Sequence, residues 1–146
     1  MARFREARAT EVLLLDTHVW LWLMIGSSEL SSAARATITE AAARGGLRLA
    51  AISVWETAML AQRGRITLSK PIREWVEEAL AAPGLVLEPL SPEVAVESCE
   101  LPGRFHGDPA DRLIAATARL TTARLVTRDR RLLDYAAQGH LAALPA

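Results

Sequence analysis

Short apolar runs that alternate with helical segments constrain the fold of this chain more than any other feature. The first run, at residues 11–16, lacks the alternation of apolar and polar residues that is typical of a strand with one face in water. Strands buried in a parallel sheet have this character. Because helical segments separate the runs, the sequence predicts an α/β protein with a mostly parallel sheet covered on both faces. The predicted strands lie in EVLLLD at 11–16, LRLAAI at 47–52, LVLEPL at 85–90, ARLVTRD at 123–129 and, at the sheet edge, HLAAL at 140–144.

The segments between the runs carry signals for the starts and ends of helices. Ser91 and Asp108 are suited to cap helices, and each is followed by a proline, which is favoured at the first helical position. Gly64 ends another helical pattern. The predicted helices cover residues 18–25, 31–46, 53–64, 71–82, 91–101, 108–122 and 130–138.

Length and composition fit one domain. The 146 residues predict a single domain over 1–146, with residues 1–11 as a short N-terminal extension. Hydrophobic residues make up 51% of the chain, which excludes a disordered protein. No apolar run is long enough to cross a bilayer. Cys99, which is predicted to be buried, is the only cysteine, so no internal disulfide can form, which fits a reducing compartment. We therefore expect a cytoplasmic protein without a membrane partner. Basic and acidic residues number 17 each, so a nucleic acid would have to be attracted by local patches of charge.

Acidic side chains recur where the predicted strands end. Asp16 follows the first strand directly, Glu56 lies one turn into the helix after the second, and Asp129 follows the fourth. Asp108 and Asp111 open the helix that leads into the fourth strand. Ligands of open α/β sheets bind beyond the carboxyl ends of the strands, so we expect these acids at one edge of the sheet. Oxygen ligands without cysteine suit Mg²⁺ or Mn²⁺, and such ions support displacement at a phosphate.

Each acid also has a structural interpretation. Ser53 and Glu56 match a capping box, in which Glu56 would only bond to backbone at the start of a helix. The three aspartates that precede helices could be plain N-caps, and Asp111 could be a first-turn acid favoured by the helix dipole. Only the joint placement of the acids favours a functional site over these interpretations.

The segments that contain the acids resemble, in this order and at these spacings, the motifs of the PIN-domain ribonucleases, in particular the toxins of VapBC-type toxin–antitoxin pairs. The resemblance runs from about Leu13 to about Leu141, nearly the whole chain. The third motif is of the variant with two aspartates three residues apart. The four segments are LLLDTHVWLWLM, AISVWETAMLAQRGRITL, HGDPADRLIAATARL and LVTRDRRLLDY.

The resemblance implies a fold and an activity. The fold would be a three-layer α/β/α sandwich around a mostly parallel sheet of about five strands. The activity would be that of a Mg²⁺- or Mn²⁺-dependent endoribonuclease, the toxin of a type II toxin–antitoxin system, in which an activated water attacks an RNA phosphodiester. A cognate antitoxin protein would occupy and block the site, and two copies of the chain would form a homodimer.

The resemblance also implies roles for individual residues. Asp108 matches an extra acid that could face the metal, and Thr17 and Thr127 fit hydroxyl positions that would orient a carboxylate or a water. The acidic quartet that would carry catalysis and hold the metal is Asp16, Glu56, Asp111 and Asp129. Candidate RNA contacts are Arg104, Arg112, Arg128, Arg130 and Arg131.

Two other functions stay open at the level of the sequence. One is another Mg²⁺-dependent phosphoryl-transfer enzyme, such as a phosphatase with Asp16 as the nucleophile. That chemistry usually has a second acid two residues further on, where this chain has His18. The other is a non-catalytic module that binds a partner protein through apolar helices, in which the acids are only caps.

Aromatic and histidine side chains near the motifs have interpretations of both kinds. The tryptophans could stack on bases. Three tryptophans lie in apolar helical patterns and are predicted to pack in the core or an interface: Trp20, Trp55 and Trp75. Trp22 is predicted to lie on a dimer or antitoxin surface. The two histidines beside carboxylates, His18 and His106, are expected to be hydrogen-bond partners rather than metal ligands.

Overall fold

Five parallel strands form one sheet in the computed structural model, which describes residues 11–146. The strands are β1 (Leu13–Leu15), β2 (Leu47–Ala50), β3 (Leu85–Glu88), β4 (Arg124–Thr127) and β5 (Ala143–Pro145). Their order across the sheet is β3-β2-β1-β4-β5, so β1 lies at the centre. The predicted α/β fold with about five strands is confirmed. The predicted N-terminal extension, residues 1–11, lies outside the described residues except for Glu11.

Seven helices connect the strands within the described part of the chain. They are α1 (Thr17–Ile25), α2 (Ser32–Ala43), α3 (Ala51–Gln62), α4 (Ile72–Leu80), α5 (Pro92–Cys99), α6 (Pro109–Thr121) and α7 (Arg130–Ala137). The predicted caps of α5 and α6 are confirmed. Ser91 Oγ accepts the backbone N–H of Val94 at 3.2 Å, and Asp108 Oδ1 accepts that of Asp111 at 3.0 Å.

Successive residues of β1 point into different hydrophobic cores. Leu13 and Leu15 pack into one core with Trp20 of α1, while Leu14 packs into the other with Ile114 of α6. Helices α1, α2 and α4 contribute to the first core, and α5, α6 and α7 to the second. The sheet is therefore the middle layer of a three-layer α/β/α sandwich, as the motifs implied.

The chain changes direction across the sheet between β1 and β4. From β1 it proceeds outward through β2 to β3, and then returns past β1 to form β4 and β5. Such a switch point leaves a crevice beyond the carboxyl ends of the two central strands. The crevice lies next to Asp16, directly after β1, and Asp129, two residues after β4.

The second strand is shorter than the sequence predicts, and this changes the role of Ser53. Strand β2 ends at Ala50 and α3 begins at Ala51 without a loop, and Ala50 makes no side-chain capping bond. Ser53 therefore lies inside the helix and is fully buried. The capping-box interpretation of Ser53 and Glu56 is wrong, because the helix begins before Ser53.

The side chains of Trp55 and Cys99 are more exposed than the sequence predicts. Trp20 and Trp75 are buried and pack edge to face at 5.3 Å between ring centroids, which confirms their prediction. Trp55 is 56% exposed, so it does not pack in the core, and its packing in an interface stays a prediction. Cys99 ends α5 at the surface, so the prediction that it is buried is wrong. Across residues 11–146, none of the helices combines the length and apolar character that a membrane crossing requires.

Candidate active site

A cleft of about 440 Å³ opens beyond the carboxyl ends of β1 and β4. It brings together all four acids of the predicted quartet, although they come from separate segments of the chain. Asp108 and Thr17 line it as well, and Thr127 lies buried beneath it. The side chains that line this acidic cleft are Asp16, Thr17, His18, Trp22, Glu56, Asp108, Asp111, Arg128 and Asp129.

Asp16 is the most deeply buried of these acids. Its side chain, 7% exposed, caps α1 through Oδ1, which accepts the backbone N–H of Thr17 at 2.8 Å. Its other oxygen, Oδ2, accepts the hydroxyl of Thr127 at 2.7 Å. Burial raises the pKa of Asp16, and the bond from Thr127 opposes that rise. A carboxylate held from both sides in this way is fixed in orientation.

Glu56 is held by a second hydroxyl. Thr17 Oγ1 lies 2.6 Å from Glu56 Oε1 and 2.8 Å from Ser53 Oγ. An ionised carboxylate can only accept, so the single proton of Thr17 goes to Glu56 and Ser53 donates to Thr17. Burial raises the pKa of Glu56, and the charges of Asp16 and Asp108 add to that rise. Ser53 is the member of this group that the sequence did not identify, because its spacing to Glu56 is also that of a capping box.

Asp111 is a cleft acid with a strongly raised pKa. Burial and the neighbouring charges, Asp108 foremost and then Asp16, raise the pKa of Asp111 to about 7. Nε2 of His106 lies 3.2 Å from Asp111 Oδ2 but is not aligned for a hydrogen bond. The other ring nitrogen of His106, Nδ1, accepts the backbone N–H of Asp108 at 3.3 Å, which places the proton of a neutral ring on Nε2.

Asp129 combines a structural role with a place in the cleft. Its Oδ1 caps α7 by accepting the N–H groups of Arg131 at 2.8 Å and Leu132 at 3.2 Å. Its own N–H donates to Thr127 Oγ1 at 3.0 Å. Thr127 therefore connects the Asp16 carboxylate to the start of α7, and the hydroxyl position predicted at this residue is one that orients an acid.

The candidate RNA-binding arginines differ in position. Arg112 donates to the backbone carbonyls of Ser98, Phe105 and His106 at 2.8 to 3.2 Å, and so it fastens the segment that precedes α6. Arg128 lines the acidic cleft, where its guanidinium lies 4.5 Å from the centroid of Trp22 and pairs with an exposed glutamate of the loop after α1. The remaining candidates are exposed and do not line the cleft: Arg104, Arg130 and Arg131.

The chemistry of the cleft fits a divalent cation. Five carboxylates face one space, and their mutual repulsion contributes to the raised pKa of Asp111. A cation relieves such repulsion, and hard oxygen ligands suit Mg²⁺ or Mn²⁺. Between Glu11 and Ala146, no three acidic, histidine or cysteine side chains are already close enough to enclose an ion. Binding would therefore draw the carboxylates together from their present bonds to hydroxyl and backbone groups.

Most of the sequence is similar to one protein family. Residues 13–138 match the family model described as the PIN domain. The chain is 43% identical over 123 residues to Ribonuclease VapC22 of Mycobacterium tuberculosis, an alignment that covers 84% of this chain and 91% of that protein.

Solved structures share the fold at low sequence identity. One is the crystal structure of VapBC2 from Rickettsia felis bound to a DNA fragment from its promoter, with a TM-score of 0.67 and 16% identity. The match covers 92% of this chain and 98% of that one. Another is a toxin–antitoxin complex from Klebsiella pneumoniae, with a TM-score of 0.60, 19% identity and coverage of 90% and 95%.

Proposed function

Because this chain belongs to the PIN domain family and, within it, to the VapC ribonucleases, we propose that the acidic cleft is its metal-dependent site for RNA hydrolysis. The protein is a ribonuclease of the toxin–antitoxin type. This activity takes precedence over the phosphatase and the non-catalytic binding module that the sequence alone left open.

The observation that carries the proposal is the convergence of the acids. Asp16, Glu56, Asp111 and Asp129 come from four separate segments and line one cleft at the switch point of the sheet. Burying several carboxylates together is costly unless a cation or protons compensate them. Helix capping explains Asp16 and Asp129 one at a time, but it does not require that four segments place their carboxylates in one cleft, so the arrangement is best explained by the ligand that it binds.

The residues of the cleft divide into those that hold the ion and those that position them. Asp16 and Asp111 would bind a Mg²⁺ or Mn²⁺ ion directly, with Glu56 and Asp129 completing its shell directly or through water. When bound, the ion supplies positive charge that neutralises the phosphate and favours ionisation of the attacking water. Thr127 fixes the Asp16 carboxylate, as its 2.7 Å bond indicates.

Groups at the edge of the cleft orient the substrate and the acids. Thr17 fixes Glu56 through its 2.6 Å bond, and Ser53 supports Thr17 from below. Arg128 at the rim supplies a guanidinium that suits a phosphate of the substrate. In-line attack by water breaks the bond from phosphorus to the 3′ oxygen and leaves a 5′-phosphate and a 3′-hydroxyl.

Two protein partners complete the proposal. A cognate antitoxin would cover the acidic cleft and block RNA, which the toxin–antitoxin complexes among the similar folds support. A second copy of the chain would form a homodimer, as the family resemblance implies. Light scattering of the purified chain, alone and with its antitoxin, measures both assemblies.

The test of the function is cleavage of RNA by the purified chain. With Mg²⁺ or Mn²⁺ present we expect cutting of single-stranded RNA, and EDTA should stop it. Asp111→Asn should reduce the rate by orders of magnitude while the protein stays folded, because the side chain is nearly isosteric but uncharged. The matched control is Asp134→Asn, an exposed acid on α7 that does not line the cleft. Cutting that persists in EDTA, or in Asp111→Asn at the wild-type rate, contradicts the proposal.

A further inference from the structure

A second groove, mainly apolar, lies directly beside the acidic cleft. Its apolar wall consists of Ile52, Trp55 and Met59 on α3 and of Pro109 and Ala110 at the start of α6. We call it the Trp55 groove. Its volume is about 330 Å³.

The geometry of α3 explains why an aromatic side chain lies here. Positions 52, 55 and 59 are spaced by three and four residues, so their side chains share one face of the helix. Trp55 presents 56% of its surface to solvent, although Trp20 and Trp75 are buried. A large apolar side chain in this position adds little to the core, and it immediately precedes the cleft residue Glu56. Its exposed surface is therefore available to a ligand next to the cleft.

The groove and the acidic cleft share a wall. Glu56 and Asp108 line both of them. A ligand bound through a phosphodiester in the cleft must continue past these two carboxylates into the space above Trp55, or turn away from it. Because the two spaces adjoin at these residues, a polymer bound in the cleft is long enough to reach the groove as well.

The chemistry of the groove indicates which part of a polynucleotide it accepts. None of the side chains that line it is basic, and two are acidic, so it would repel a phosphate. Its apolar floor with an exposed indole suits a flat, uncharged ring. Nucleobases stack on aromatic side chains in this way, and the stacking tolerates different bases.

We propose that the Trp55 groove is a nucleobase subsite, in which the base next to the scissile phosphate stacks on the indole of Trp55. Met59 and Pro109 flank that base. The proposal rests on the proposed ribonuclease site and adds a means by which the enzyme holds the nucleotide beside the cut, with a modest preference for bases that stack strongly. Trp55 touches the substrate at a distance from the reacting atoms and takes no part in the bond-breaking step.

The first experiment compares Trp55→Ala, Trp55→Phe and Trp55→Leu on a pool of single-stranded RNA of random sequence, with the 5′ ends of the products mapped. We expect the Ala variant to lose about 5- to 100-fold in kcat/KM, mostly through KM, and to lose base preference at one position beside the cut. The Phe variant should retain most of the activity, because it keeps an aromatic face, and Leu should not. The matched control is Val96→Ala, since Val96 is also 56% exposed but lines neither space.

The second experiment removes the base instead of the tryptophan. An RNA with an abasic nucleotide at the mapped position should be cut by the wild-type protein as poorly as intact RNA is cut by Trp55→Ala. The two changes together should cost no more than either alone, because both remove the same stacked pair. Circular dichroism of the variants checks that they are folded.

Three outcomes would overturn the subsite. One is a Trp55→Ala protein with wild-type kcat/KM and unchanged cut sites. The second is a set of additive losses from Trp55→Ala and the abasic RNA. The third is unchanged RNA cleavage together with weakened binding of the antitoxin, which would assign the groove to a protein partner. In each case the wild-type protein still cuts RNA, so the proposed function survives; if it cuts no RNA, that function fails first.

Discussion

Asp111 illustrates how the site opposes the stability of the metal-free fold. Its pKa lies near 7 because burial and four neighbouring carboxylates disfavour its ionised form. Within the described residues its carboxylate accepts no aligned hydrogen bond, unlike those of Asp16 and Glu56, which hydroxyl groups hold. The sequence predicts an acid at this position but not its acidity, which depends on burial in the folded chain and on carboxylates brought in from other segments as well as on Asp108.

The raised pKa of Asp111 predicts a pH dependence of stability. Between its ordinary pKa of 3.8 and about 7 the folded state binds a proton that the unfolded state releases. This contribution is fully present below the ordinary pKa and is lost as the pH rises through 7. We therefore expect the free energy of unfolding of Asp111→Asn, relative to wild type, to increase from pH 4 to pH 8 in EDTA. Urea unfolding at a series of pH values measures it.

A divalent ion should remove this difference. At pH 8, Mg²⁺ or Mn²⁺ stabilises the wild-type protein by binding the folded state, and should stabilise Asp111→Asn much less. The Asp134→Asn control should follow wild type throughout. A difference between Asp111→Asn and wild type that does not change with pH would show that the carboxyl has an ordinary acidity.

At the level of the helices, three of the acids in the cleft lie at helix N-termini. Asp16, Asp108 and Asp129 cap α1, α6 and α7, and all three line the acidic cleft. The structural interpretation of these acids as caps is confirmed, and it does not exclude a role at the site. The positive ends of three helix dipoles reduce the cost of placing carboxylates side by side. The same residues can therefore start helices and line a binding site.

Substitution of Asp108 separates these two roles. Asp108→Asn keeps an oxygen that can accept the N–H of Asp111, so Asp108→Ala should be about 1 kcal/mol less stable than Asp108→Asn. Both variants remove the charge, so both should bind Mn²⁺ equally less tightly than wild type. Chemical denaturation and calorimetric titration with Mn²⁺ measure the two effects. Equal stability of the Asn and Ala variants would contradict the capping role.

In helix α3, the sequence did not predict which residues face the neighbouring helix. The pattern Ser53-x-x-Glu56 is the same in a capping box and in a pair that faces a neighbouring helix, so local sequence could not distinguish them. The contact of both residues with Thr17 depends on how α1 packs against α3, which a one-dimensional pattern does not contain. For a similar reason the sequence left open whether Trp55 lies in the core or in an interface, since α3 is apolar on several faces and its periodicity does not reveal which face is covered.

For the whole molecule, the parallel sheet explains why the convergence of the acids could be predicted from the sequence. Unbroken apolar runs indicated parallel strands, and the carboxyl ends of parallel strands meet at one edge. Acids that follow those strands had to converge there, whatever the details of packing. The strand order, with β1 and β4 adjacent at the centre, then brings Asp16 and Asp129 together across 113 residues of sequence. The hydroxyl groups that orient the acids were implied only by the family resemblance.

Anomalous diffraction from crystals of the protein soaked in Mn²⁺ shows whether the converging acids hold a divalent ion. We expect a manganese peak in the acidic cleft, within about 2.0 to 2.6 Å of carboxylate oxygens of Asp16 and Asp111. No peak there in the wild-type protein at saturating Mn²⁺, or a peak unaffected by Asp111→Asn, would contradict the account.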